Sequence, residues 1–124
     1  MRHLFPMLLI ATMLVAASCT DHSRRPEIEQ RRAALKHKQD STLEAAQREL
    51  ALVDSALEAV SAEYERKKAE VEQHKAELNA TGEELTALTL LRMRRDSLQT
   101  RWDVLGATIK YVRQKQKEAG TANE

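Results

Sequence analysis

Chemistry in a protein needs reactive side chains held at fixed distances, and this sequence offers few. It has one cysteine, Cys19, and four scattered histidines. His74 follows Glu70 by one helical turn, a spacing that sets two metal ligands on one face of a helix. Two ligands are too few to hold an ion, and no second histidine lies close in sequence. His74 is therefore expected as a tolerated occupant of a helical interface. His22 and His37 stand in polar stretches and are expected to be solvated. A glycine-rich phosphate loop and a Ser/His/Asp grouping are both missing, and a helical rod offers no desolvated pocket. The sequence thus predicts no catalytic residue, no metal, no cofactor and no enzymatic activity.

Cys19 is different, because of what precedes it. Arg2 and His3 make a short basic start, and Leu4 to Ala17 is apolar apart from Thr12. That run is too short to span a bilayer comfortably and reads as a secretory signal. Val15-Ala16-Ala17-Ser18 then sets small residues directly before the cysteine. In this segment the chain resembles bacterial lipoproteins, whose export signal ends in a small residue and then Cys. The resemblance covers the export segment alone. It implies a signal peptide over residues 1–18 and a mature N-terminus at Cys19, which would carry acyl chains as the lipid anchor. A lone cysteine in an exported chain has no disulfide partner within the molecule, and acylation would remove the free thiol. In the enterobacterial members Asp directly after the lipidated Cys retains the protein in the inner membrane. Here that place is Thr20, which implies the outer membrane facing the periplasm, with the inner membrane and cell surface as alternatives.

The remaining chain must be helical to position anything. Aromatic residues make up 3% and charged residues 31%, with three Gly and two Pro, a composition typical of long helices rather than a globular core. Residues Ala46, Leu50, Val53, Leu57, Val60, Tyr64, Lys67, Val71, His74 and Leu78 recur at alternating steps of four and three. Leu88, Leu91, Arg95, Leu98, Trp102, Leu105, Ile109 and Val112 repeat the pattern downstream. Two such heptad seams in one chain predict an all-α fold, a long antiparallel two-helix coiled-coil hairpin. The interaction seam is expected to centre on Leu57, Val60, Leu88, Leu91, Leu98, Trp102 and Leu105.

Boundaries follow from local signals. Residues 19–25 are expected to be a polar tether and 26–118 the helical hairpin, with 119–124 a disordered tail. Pro26 suits a first helical turn, so the first helix is predicted over about 26–79. Asn79 is expected as its left-handed C-cap and the turn falls at about 79–82. Thr81 with Glu84 three residues later forms a capping box that opens a second helix over about 82–117. The expected register places Tyr64 level with Arg95 and pairs Glu44 with Lys115, Glu49 with Lys110, Glu58 with Arg101, Glu65 with Arg94 and Lys75 with Glu84. Exposed pairs of this kind contribute under about 1 kcal/mol each.

Charge narrows the partners. The chain has 20 basic and 19 acidic side chains, interleaved along the helices. Arg92, Arg94, Arg95 and Arg101 lie among Glu58, Glu63 and Glu65 in the expected hairpin, so a neutralised surface is predicted and nucleic acid is not a partner. Apolar residues around Leu85, Leu88, Leu90 and Leu91 cover too wide an arc for one partner helix, which points to a homo-oligomer or an envelope protein partner. The expected function is that of a lipid-anchored coiled-coil spacer or interaction module. An unpaired stretch from Pro26 to about Thr42 would lift the paired segment by up to roughly 25 Å at 1.5 Å per residue. The alternatives are an accessory subunit of an envelope transport or secretion assembly, and a periplasmic holdase.

Overall fold

A computed structural model describes residues 20–122, with side chains from Arg24 onward. The signal segment 1–18, Cys19 and the last two residues of the expected tail lie outside the described residues. The described residues form two helices, α1 (Thr20–Ala76) and α2 (Gly82–Thr121), and the chain divides into two compact units between Gln39 and Asp40.

In the first unit, α1 begins at Thr20 and runs through Pro26, so the expected tether is helical. Residues 20–25 include no glycine or proline to interrupt the backbone. Pro26, inside the helix, removes one helical N–H bond. From Arg24 to Lys38 every side chain is exposed, including Ile28 and Leu35. An ion pair one turn apart, Arg31 to Glu27 at 2.6 Å, supports the helix locally.

In the second unit the remainder of α1 pairs with α2 as an antiparallel hairpin. Residues on the α1 seam are buried or half-buried from Leu43 to His74, in steps of three and four. Ala46, Val53, Leu105 and Ile109 form the apolar cluster, with Leu43, Leu50 and Leu98 packed against it. Val71 is 0% exposed and is the most completely enclosed side chain near the turn. Serine and threonine within the helices return their hydroxyls to carbonyls one turn back, as Thr89 does to Leu85 and Thr108 to Val104, which lets them stand in helix interiors without unpaired groups.

The chain reverses at Leu78, whose φ is 61°. Its N–H donates to the Lys75 carbonyl at 3.1 Å and the Asn79 N–H donates to the His74 carbonyl at 2.7 Å. Those two bonds define a Schellman motif with Leu78 in the left-handed place. The expectation that Asn79 would take that place is corrected by one residue, because α1 ends at Ala76. Leu78, expected as the last seam residue, is instead 93% exposed. Gly82, which has no positive φ, opens α2.

The capping box is present as expected. The Glu84 N–H donates to Thr81 Oγ1 at 3.2 Å and the Thr81 N–H donates to Glu84 Oε2 at 3.1 Å. At its other end α2 continues to Thr121, past the expected end at Lys117. The Thr121 hydroxyl donates to the Glu118 carbonyl and the Ala122 N–H closes on the same oxygen, so these bonds carry the helix beyond the point where its composition turns small and polar.

Candidate functional site

The interface between α1 and α2 is the one place where the described residues converge, and it has two halves. Away from the turn its layers are apolar, with Ala46, Val53, Leu105, Ile109 and Val112 all buried. Towards the turn, seam positions carry polar groups. Lys67, His74 and Arg95 are half-buried at places where an apolar side chain would be the simpler occupant. Each has a partner. Lys67 donates to Glu70 Oε2 at 3.1 Å. Arg95 lies over the Tyr64 ring at 4.2 Å, as the sequence predicts, and approaches Glu65 at 4.0 Å. His74 Nδ1 sits 2.7 Å from Glu84 Oε1. No buried side-chain polar atom lacks a partner among the described residues.

The seven residues expected at the interaction seam fall as follows. Val60 and Leu105 are each 5% exposed. Leu57, Leu88, Leu91 and Leu98 are half-buried. Trp102 occupies a seam position yet is 38% exposed, since a ring of that size extends past a two-helix interface.

The polar ties differ from those expected. Glu49 accepts from Arg101, so neither the Glu49–Lys110 nor the Glu58–Arg101 pair forms. Glu65 meets Arg95 rather than Arg94. Lys75 pairs with Glu72, Glu44 with Arg48 and Lys115 with Glu118, each within its own helix. Partners one turn away on the same helix are closer than those across the seam, and long exposed side chains take the nearer option. One cross-helix tie had no signal in the charge pattern: Gln116 donates to Asp40 Oδ1 at 2.7 Å.

Hydrogen bonding shifts the ionisation of three groups. The Thr81 N–H holds the Glu84 carboxyl below its ordinary value, with His74 adding to the effect. Glu118 holds the Lys115 ammonium above its usual value, and Lys115 with Gln114 holds Glu118 below its own.

Among the described residues, no three His, Cys, Asp or Glu side chains gather as a metal site. Glu70, the expected companion of His74, binds Lys67 while His74 turns to Glu84, so the structure does not join His74 and Glu70. No helix among the described residues is long and apolar enough to cross a membrane. Compared with known proteins, the chain matches no family model, no curated protein and no solved structure.

Proposed function

We propose that the chain is a lipid-anchored coiled-coil protein of the bacterial envelope, acting as a structural spacer or protein-interaction module. The observation that carries this reading is the joining of Val15-Ala16-Ala17-Ser18-Cys19 to an antiparallel hairpin. A hairpin stores its binding capacity in its faces and its length. α2, with 40 residues, spans about 60 Å at 1.5 Å per residue. Acyl chains on Cys19 would hold it at a membrane surface, since each buried CH₂ contributes about 0.8 kcal/mol and more than one chain makes anchoring stable. Thr20 after Cys19, in place of Asp, supports the outer membrane as the destination.

Mass spectrometry of the mature N-terminus tests the reading. The expected product starts at Cys19 and carries acyl chains. A mature chain with an unmodified Cys19, or one cleaved elsewhere, overturns it.

The second reading is an accessory subunit of an envelope assembly, favoured by the exposed Leu90, Met93, Val104 and Tyr111 on α2. Crosslinking in intact cells separates the two. A single dominant foreign partner favours the subunit, and self-crosslinks favour the spacer.

A further inference from the structure

Beyond Leu85 and Trp102, the exposed large apolar side chains on α2 share one face. Leu90 is 61% exposed, Met93 61%, Val104 50% and Tyr111 62%. With Ser97, Thr100 and Ala107, all exposed, they recur from Leu90 to Tyr111 in strict steps of three and four. That is a second heptad seam. At about 100° per residue it lies roughly 160° round the helix from the seam that packs on α1. The hairpin therefore cannot cover it. Its threonine is also less polar than its letter suggests: the Thr100 hydroxyl donates to the Asp96 carbonyl at 3.0 Å, leaving a methyl group as its free face.

The flanks of this stripe specify what covers it. Asp96 and Asp103, followed by Lys110, line one side, and Arg94 and Arg101 the other. A helix whose two flanks have opposite signs complements a parallel copy of itself, because residues five apart on opposite flanks then face each other. That spacing brings Asp96, which also meets Arg92 and Arg95 on its own helix, to Arg101 of the other copy, which also meets Glu49 of its own α1. Antiparallel pairing centred on the stripe also brings Asp96 to Lys110, but it opposes Asp103 with Asp103 and Arg101 with Arg101 at the middle of the stripe. We propose that the stripe from Leu90 to Tyr111 is a parallel docking surface for α2 of a second copy of this chain. Lys110 and Lys115 oppose one another in that alignment and limit its strength at the C-terminal end. A stripe about 30 Å long belongs with the small interfaces, under about 1,200 Å² in total. Copies confined to one membrane plane gain from the raised local concentration. The inference deepens the self-interaction in the reading above and rests on that part of it.

Disulfide trapping tests it on the full chain in isolated membranes. Ser97→Cys and Thr100→Cys are expected to form linked dimers several-fold more readily than Gln99→Cys, which is exposed on the same stretch but off the stripe. The unsubstituted chain, with Cys19 alone, sets the baseline. Equal trapping at Gln99→Cys overturns the docking surface. Absence of trapping at Ser97→Cys and Thr100→Cys, with chemical self-crosslinks still present, overturns the surface while self-association stands. Absence of every self-crosslink overturns both, and neither result alters the acylation mass at Cys19. A charge exchange gives an independent readout. Asp96→Lys in one chain, and Glu49→Lys with Arg101→Glu in another to keep the tie to α1, should each weaken self-pairing about tenfold. Mixing the two should restore pairing between them. Failure of the mixture to pair overturns the parallel alignment.

Discussion

The guanidinium of Arg95 on α2 lies 4.2 Å from the ring centroid of Tyr64 on α1, the closest defined contact of a charge with a ring across the hairpin. An arginine at a seam position would ordinarily loosen a coiled coil. Stacking on the ring and the approach to Glu65 let it stay half-buried with its charge answered on both sides. Arg95→Ala should therefore cost about 1 kcal/mol, and Arg95→Lys somewhat less. A thermal or urea double-mutant cycle with Tyr64→Ala measures the coupling. Strictly additive losses would remove the stack as a determinant of register.

Val71 supplies a second prediction. It is wholly enclosed near the turn, where its seam neighbours Lys67 and His74 are polar. Val71→Ala should cost about 2 kcal/mol by urea denaturation. Leu52→Ala, at a side chain 73% exposed, should change stability by under about 0.5 kcal/mol in the same assay.

Two substitutions involving glycine should stabilise, in opposite directions. Leu78 holds a left-handed backbone that costs a residue with a Cβ about 1–2 kcal/mol, so Leu78→Gly should raise the melting temperature. Gly106 lies inside α2, and a Cβ added there meets nothing within 4 Å. Gly106→Ala should add about 0.5–1 kcal/mol. Scanning calorimetry reads both.

Acid should weaken the turn. The Glu84 carboxyl is held below its ordinary value in the folded chain, chiefly by the Thr81 N–H. Its contribution is complete above the unfolded carboxylate value and disappears as pH falls through the lowered folded one. Glu84→Gln should therefore flatten the acid limb of a plot of melting temperature against pH and leave the neutral slope nearly unchanged.

The hairpin was legible in the sequence because both seams keep their steps of three and four over many turns, and burial follows that periodicity from Leu43 to His74 and, apart from Trp102, from Leu88 to Val112. The capping box was legible because Thr81 and Glu84 have one effective geometry at a helix start. The left-handed residue was missed because it is set by where the seam on α1 runs out, which overrode the local preference of Asn79 over Leu78. Charge pairs were misassigned for a different reason. Glu49, Glu58, Lys110 and Arg101 all have several partners within reach, and differences among exposed pairs are smaller than the side-chain entropy that fixing any of them costs. The second stripe on α2 is hidden in the sequence because Ser97 and Thr100 interrupt it, and only the Thr100 hydroxyl bond to the preceding turn shows that this side chain offers a methyl face.

The apolar cluster of Ala46, Val53, Leu105 and Ile109 sits at the open end of the hairpin, far from Leu78. The grip and the hinge are thus separate parts, like the jaws and pivot of tweezers. Evolution could lengthen the link around Asn79-Ala80 at little cost, since each doubling of a flexible loop takes only about 0.6 kcal/mol. Reach and clasp in such a molecule can then be tuned independently.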